Sequence, residues 1–546
     1  MAPHDGRFRR VSDWVPSRLA DFLDRNAGSR GPAEALVTEG ERIGHATLRA
    51  EARAVARSLL ALGISRGDHV GVLTGNDADW VRLFYGAALI GAVTVPINTR
   101  FKAPEIAFAL RQADCRAAFV RGRFLKIDFA AALAEAEPAV ATGLPGEALP
   151  LLRQAVILGE DVPSGAIAWP DFLARQAPQA ELVAAIAAVT PEDPLLVQFT
   201  SGTTAYPKGV LLTHSNMLRN AWAASQRLGV REDDRYLNCR PFFHVAGSTL
   251  SLLVCLVTGA TMVTPPTFEA GAALRLLEQE RCTLTSGNDS IFQLLMAHPD
   301  FRRDRLHLRG GWAAAGPITM RRVIEEMGVT GLCWAYGLSE ASPNVVLSDH
   351  RDPAELRISG RAAPHPGVEV RIADPETGHT LPPEARGEIQ VRGWGVMRGY
   401  YNNAEATAKT FTADGWLRTG DLGALDTHGR LRMEGRLKDV LRVGGENVAP
   451  AEVEEVLLAH PAIAMAQVIG VPDVRLGEVP AAFVTLRADA ATTEAEVLEW
   501  LRPRLANFRM PRHLRIVPDF EAIGMTASGK VQKAKLREHA VALFAR

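Results

Sequence analysis

Hydrophobic positions along this chain alternate between two periods. Residues 48–62 form an Ala-rich stretch with apolar positions at helical spacing, ending near Gly63. Residues 69–74 read as a strand, 79–90 as a helix, and 92–97 as a continuous apolar run of the kind a fully buried strand shows. Alternation of this sort runs from Pro16 to about Val370 and predicts α/β layers built on largely parallel sheets. From Gly367 to Gly435 the texture changes. Short apolar runs at 368–372 and 387–391 are separated by Pro, Gly and Asp turns, which predicts a small β subdomain.

The last hundred or so residues read as a self-contained unit. Pro450 opens a helix over 452–458, and strands follow at 466–471 and 481–486. Thr493 with Glu496 makes a capping box for a helix through Leu505, a strand covers 514–517, and a final helix starts at Val531. Residues 435–439 are polar and read as a hinge, whereas 141–163, the least patterned stretch, reads as a variable surface loop. The predicted fold is therefore α/β. A large N-terminal domain (1–435) of layered α/β subdomains carries a small β subdomain, and a small, mobile α/β C-terminal domain spans 436–546.

Length and charge narrow the classes. The 546 residues suffice for three or four domain-sized units, and a formal charge of −1 argues against bulk electrostatic binding to nucleic acid or an anionic membrane. Five cysteines, odd in number and without a CxxC spacing, predict free thiols in a reducing compartment and no zinc site. The N-terminus lacks an apolar signal core, and the most apolar stretches, 83–97 and 250–263, contain Gly and are short for a membrane span. The expectation is a soluble cytoplasmic protein without a transmembrane segment; homodimer formation is left open.

The strongest chemical signal is residues 198–214, QFTSGTTAYPKGVLLTH. Small hydroxyl residues and Gly offer backbone N–H and O–H donors, and Lys208 adds a cation, a combination suited to phosphate. It is not a Walker A loop, because Lys208 lies between Pro207 and Gly209 rather than opening a helix. The loop should instead join strands at 194–199 and 210–212, followed by a helix over 216–228 capped by Ser215 and ended by Gly229. Residues 334–340 (WAYGLSE) put an aromatic ring, a hydroxyl and a carboxylate together, as an adenine face, a phosphate and Mg²⁺ require; alone, a core Tyr and a solvated Glu read equally well. Residues 416–421 (WLRTGD) read as a turn whose carboxylate suits two ribose hydroxyls, and 525–530 (MTASGK) as a small-residue loop presenting a Lys.

Together with PFFHVAG (241–247) and GRLKDVLRVGGENVAP (435–450), these motifs resemble, in order and over essentially the whole length, the adenylate-forming acyl-CoA synthetases, the superfamily shared with luciferases and peptide-synthetase adenylation domains. The resemblance implies a two-step reaction. A carboxylate attacks the α-phosphate of Mg·ATP to give acyl-AMP and pyrophosphate, and the coenzyme A thiol then gives the thioester and AMP. It implies ATP-phosphate contacts from Thr200, Ser201, Gly202, Thr203, Thr204 and Lys208, and an adenine site from Tyr336 and Gly337 beside a small strand, Ala315-Gly316-Pro317. It further implies a phosphate hydroxyl from Ser339, a ribose clamp from Asp421 and Arg436, and cofactor contacts from Gly444 and Gly445. Glu340 and Thr200 would hold Mg²⁺. Lys530, His244, Thr200, Lys208 and Glu340 are the catalytic candidates, and Lys438 marks the hinge. Three positions depart from the family pattern: Ala205 and Gly524 replace a common Gly and Pro, and Ser339 a common Thr.

By the same resemblance the acyl pocket is lined by His244, Val245, Gly247, Asn288, Ala313 and Ala314, small or apolar apart from His244 and Asn288. No Asp follows Phe242-Phe243 to hold an α-amino group, which disfavours amino acids. A medium- or long-chain fatty acid, or a bulky alicyclic or aromatic acid, fits best. Arg240 reads either as a structural ion-pair residue, the favoured reading, or as a recogniser of a second carboxylate in a short diacid. Competing classes are an acyl-AMP ligase loading a separate carrier protein, a luciferase-like oxidative enzyme, and a silent nucleotide-binding regulator; the joint presence of Lys208, Glu340, Asp421, Arg436 and Lys530 argues against the last.

Overall fold

The computed structural model describes residues 14–200, 207–488, 490–526 and 529–544. Two α/β layers form the bulk of the chain. One is built on a seven-stranded sheet in the order Gly209–Thr213, Pro194–Phe199, Val93–Pro96, His69–Leu73, Cys115–Arg121, Gln154–Leu158, Ile167–Ala168. All its pairings are parallel except the hairpin of the first two strands. Such strands are covered on both faces, which is why they read as unbroken apolar runs. The stretch 141–163 departs from its expected loop: it holds the strand Gln154–Leu158, parallel to Cys115–Arg121 and buried from Ala155 onward. Its five residues are too few to stand out among flanking Pro and Gly.

The other layer is an eight-stranded sheet in the order Asn344–Leu347, Gly331–Gly337, Gly310–Ala314, Leu284–Asn288, Arg235–Leu237, Thr261–Val263, Glu34–Thr38, Glu41–Gly44. One large hydrophobic cluster runs through both layers, joining residues such as Trp80, Phe119, Met217, Phe242 and Trp312. The predicted β subdomain is present as a five-stranded antiparallel sheet, Arg361–Ala362, Leu431–Arg436, Leu417–Leu425, Gly387–Gly393, Val368–Ala373. Here the expected turn at 416–421 is corrected: Leu417 through Asp421 lie in a nine-residue strand. Gly420, at φ +68°, lies in a bulge where the pairing with Gly387–Gly393 passes from Arg418 to Leu422, and in sequence this looks like a turn.

The C-terminal residues fold around a sheet of their own, Glu446–Val448, Leu441–Val443, Gly477–Leu486 and Ile463–Asp473, with His513–Ile516 alongside Gly477–Leu486. Separate hydrophobic clusters cover its two faces. Helices Pro450–Leu458, Glu494–Leu501 and Lys533–Phe544 complete it, and the Thr493–Glu496 capping box forms as expected. The helix after the hairpin is His214–Leu228, capped by the Thr213 hydroxyl on Asn216 N–H rather than by Ser215. Gly229 ends it at φ +60°. Among the described residues no helix is long and apolar enough to cross a membrane, and all five cysteines are buried free thiols.

Candidate active site

Three neighbouring parallel strands, Leu284–Asn288, Gly310–Ala314 and Gly331–Gly337, end side by side. Their interiors are buried, but Ala314 and Gly337 at two of the C-terminal ends are exposed, so this sheet edge reaches the surface at the place where α/β folds form their ligand cleft. The turn out of Gly331–Gly337 requires glycine: a Cβ on Gly337 would lie 2.0 Å from the Pro343 carbonyl oxygen. Residues 315–317 are not the expected strand. The strand stops at Ala314, and Gly316 leads into the helix Pro317–Glu325 with Pro317 in its first turn. The Gly316 N–H donates to Asp289 Oδ1 at 3.1 Å. Burial pushes the Asp289 carboxyl up to about 6.

On one side of the cleft the β subdomain meets the strand Gly331–Gly337. Tyr336 Oη donates to Asp421 Oδ2 at 2.8 Å, and Arg436, the register partner of Asp421, places Nε 3.0 Å from Oδ1. That ion pair lacks hydrogen-bond geometry, so Oδ1 is a buried acceptor with no hydrogen bond from the described residues. Burial raises the Asp421 pKa, opposed by Arg436 and the Tyr336 hydroxyl. A buried carboxylate with one unused oxygen beside an arginine is suited to accept from a sugar hydroxyl.

On the other side lies the stem of the phosphate loop. Thr200 N–H donates to Lys208 O at 2.9 Å and Lys208 N–H to Thr200 Oγ1 at 3.4 Å, closing the loop's mouth on the predicted hairpin. Ser201, Gly202, Thr203, Thr204 and Ala205 lie outside the described residues. Lys208 Nζ sits 4.9 Å from the centre of the Tyr400 ring, and Tyr400 Oη donates to Glu340 Oε1 at 2.8 Å. Tyr400 thus joins Lys208 to Glu340, a link the sequence reading missed. Ser339 begins the single helical turn that carries Glu340. The second carboxylate oxygen of Glu340 accepts no hydrogen bond among the described residues.

Lys530 comes from the C-terminal unit. The residue is exposed, yet enough protein surrounds its ammonium to bury part of the charge from water. That burial is the largest cause lowering its pKa to about 8; the charges of Arg240 and Arg436 add to it and Asp421 opposes. Next to it, Gly529 O accepts from Asn288 Nδ2 at 3.3 Å. His244 faces the same group. Burial, then Lys530 and Arg240, lower its pKa to about 3, so the ring is neutral. Its Nδ1 accepts from Ala246 N–H at 3.1 Å, which assigns the proton to Nε2. Gln198 Nε2 donates to Phe243 O at 2.7 Å and ties the phosphate-loop strand to this segment.

A family model described as AMP-binding enzyme matches residues 23–401, and one described as AMP-binding enzyme C-terminal domain matches 452–530. The chain belongs to the AMP-binding enzyme family. It is 39% identical to a (7a-methyl-1,5-dioxo-octahydroindenyl)propanoyl:CoA ligase of Mycobacterium tuberculosis, over 94% of this chain and 97% of that one. It is 33% identical to the mitochondrial medium-chain acyl-CoA ligase of Danio rerio, over 98% and 89%. The crystal structure of an anthranilate CoA ligase in complex with anthranoyl-AMP superposes with a TM-score of 0.85 at 28% identity, covering 98% of this chain and all of that one. This AMP-binding enzyme is accordingly an AMP-forming acyl-CoA synthetase that uses ATP and coenzyme A to ligate a carboxylic acid.

The remaining residues singled out in the sequence lie at five places. Ala313 and Ala315 are buried within and just beyond the strand that ends at the cleft, and Val245 and Gly247 are buried in the turn after His244. A Cβ on Gly247 would lie 2.2 Å from Pro241 O, so close backbone approach explains that glycine. Arg240 is buried with its guanidinium 5.4 Å from the Trp312 ring, and burial lowers its pKa to about 10. Lys438 lies in the short turn Leu437–Asp439, directly after the strand that ends at Arg436. Gly444 and Gly445 form the tight turn between Leu441–Val443 and Glu446–Val448, at φ +59° and +94°. Gly444 N–H donates to Leu476 O, within the C-terminal unit rather than toward the nucleotide cluster.

Proposed function

We propose that this acyl-CoA synthetase adenylates an uncharged hydrophobic acid, medium- or long-chain or bulky alicyclic or aromatic, with Lys530 as the cation of the first half-reaction. The observation that carries the reading is the meeting of Lys530 with His244, Asp421 and Arg436 in one cleft although they lie far apart in the chain. ATP enters with its adenine against Tyr336, Gly337 and the Ala315–Gly316–Pro317 turn, and its ribose on Asp421 and Arg436. Its phosphates meet Lys208, the Thr200 and Ser339 hydroxyls and the adjoining loop. Carboxylate attack on the α-phosphate spreads negative charge over its oxygens, where Lys530 stabilises it. Neutral His244, with its proton on Nε2, separates the nucleotide from the acyl chain and offers a donor to the carboxylate.

A Mg²⁺ ion would supply charge neutralisation on the phosphates. Glu340 fits it, presenting one carboxylate oxygen not engaged by Tyr400, and the Thr200 hydroxyl is the second candidate donor; Mg²⁺ needs only one or two carboxylates besides phosphate and water. In the second half-reaction the thiol attacks the acyl carbon and AMP leaves. We read residues 436–546 as a domain that turns near Lys438 between the steps, withdrawing Lys530 and bringing Gly444 and Gly445 toward coenzyme A. The buried free thiols support a reducing compartment such as the cytoplasm, and the homodimer is tested by sedimentation. The acyl preference rests on the small or apolar Val245, Gly247, Ala313 and Ala314, and on relatives whose names specify a medium-chain and an alicyclic acid.

Two experiments test this. A panel of acids assayed for pyrophosphate release should favour hydrophobic monoacids over acetate, amino acids and malonate; malonate as the best substrate overturns the acyl assignment. Lys530→Ala should lose adenylation by roughly a hundredfold or more, yet convert supplied acyl-AMP and coenzyme A at near the normal rate. Equal losses in both half-reactions would make Lys530 structural.

A further inference from the structure

The loop that presents Lys530 is braced from within. Thr526 N–H donates to Lys530 O at 2.7 Å, Gly529 N–H to Thr526 O at 2.9 Å, and Lys530 N–H to Thr526 Oγ1 at 2.9 Å. A bridge between Met525 and Val531 closes its base. A loop held this way moves as one piece, so whatever grips its shoulders also aims its lysine.

Both shoulders are gripped by the large N-terminal part of the chain. The Arg100 guanidinium donates to Met525 O, just before the loop, and Asn288 Nδ2 donates to Gly529 O at 3.3 Å, just before the lysine. The two donors come from different layers. Arg100 follows the strand Val93–Pro96 of the seven-stranded sheet, and Asn288 ends the strand Leu284–Asn288 of the eight-stranded sheet. Both acceptors are backbone carbonyls, so the grip reads the loop's shape and not its side chains. The fit at Asn288 is close as well. A Cβ on Gly529 would stand 3.7 Å from Asn288 Oδ1 and 3.5 Å from Ile291.

We propose that Arg100 and Asn288 are positioning residues that latch the Lys530 loop into the cleft, and that the latch serves adenylation and not thioester formation. This rests on the reading that the C-terminal domain turns between the half-reactions. When it turns, both carbonyls leave their donors for water, and the latch then has nothing to hold.

The two residues can be tested without disturbing the fold. Arg100 is exposed, so Arg100→Ala removes no core packing. Asn288 also caps the helix Asp289–Ala297 through Oδ1, which accepts from Ile291 N–H at 3.0 Å. Asn288→Asp keeps an equally good cap of the same shape while deleting the amide donor. Each variant should lower adenylation by about threefold to tenfold, the scale of one cross-domain hydrogen bond. Arg100→Ala should leave thioester formation from supplied acyl-AMP within about twofold, and Arg100→Lys should recover part of the loss. Asn288→Asp should lower the ratio of adenylation to thioester formation, with an unchanged melting temperature. Parallel losses in both half-reactions, or no loss in either, overturn the latch. Lys530→Ala run alongside separates the two levels of the argument. If that variant loses both half-reactions equally, the domain-turning reading fails; if it is selective while the latch variants are flat, the latch alone fails.

Discussion

The pKa of Lys530 sets a pH limit on the first half-reaction. Lys530 is exposed, but desolvation by the surrounding protein first, then the charges of Arg240 and Arg436, bring its ammonium down to about 8. In the proposed role the cation is the form that stabilises charge on the α-phosphate, so activity should be lost as pH rises through that value. With a pKa of about 8 the charged fraction is about nine-tenths at pH 7 and about one-tenth at pH 9. The apparent kcat/KM for ATP should therefore fall close to tenfold per pH unit above about 8, because that parameter reports the free enzyme. Bound ATP surrounds the lysine with phosphate charge, which favours its protonated form, so the alkaline limb of kcat should lie at higher pH. The assay is ATP–pyrophosphate exchange without coenzyme A, since ionisation of the acceptor thiol would overlay the same pH range. Lys530→Arg supplies the control: a guanidinium stays charged throughout, so the limb should vanish whatever the absolute rate. A kcat/KM profile flat to pH 9.5 in the unmodified enzyme, or a limb that persists in Lys530→Arg, would refute the reasoning.

Three further outcomes follow from the same cleft. Glu340→Gln keeps the shape and the Tyr400 hydrogen bond but removes the charge, so the Mg²⁺ concentration for half-maximal adenylation should rise at least tenfold with the melting temperature unchanged; normal turnover at limiting Mg²⁺ would exclude the metal role. Tyr336→Phe deletes the donor to Asp421 and leaves a buried carboxylate oxygen unpaired, which should destabilise the protein by about 1–3 kcal/mol in urea unfolding and raise KM for ATP more than it lowers kcat. Arg436→Met should depress both half-reactions by similar factors, read in the separate assays used for Lys530→Ala; a loss confined to adenylation would count against a shared ribose clamp.

What the sequence disclosed depended on how local the determining interactions were. The phosphate-loop hairpin was readable because its two strands flank the loop directly, and Gly229 and the Thr493–Glu496 box were readable because caps act within one turn. Ser215 was misread as the cap because two hydroxyl residues lie two positions apart, and only the geometry selects Thr213. The strand Gln154–Leu158 was hidden because its pairing partner, Cys115–Arg121, is more than thirty positions earlier. Tyr400, Asp289 and Arg100 were not singled out for a deeper reason. Their contacts are made across the fold, Tyr400 to Glu340 and Lys208, Asp289 to Gly316 and Arg100 to Met525, and no spacing rule records such a contact.

The order of residues at the end of the β subdomain explains why a domain could turn without releasing its nucleotide. Arg436 is the last residue of the strand Leu431–Arg436, whose neighbour in the sheet carries Asp421. The turn holding Lys438 begins at the next residue. An anchor placed so close to a pivot sweeps almost no distance when the chain beyond it rotates. Lys530 lies beyond the pivot in the chain and travels with the C-terminal unit on the proposed turn. On the proposed turn, the ion pair of Arg436 with Asp421, and the Tyr336 hydroxyl on the same carboxylate, belong to the fixed side of the motion, while Lys530 and its proposed latch belong to the moving side. This is why Arg436→Met and Lys530→Ala, which remove two cations from one cleft, should divide so differently between the half-reactions. On this proposal the nucleotide clamp survives both steps, and the adenylating lysine leaves after the first.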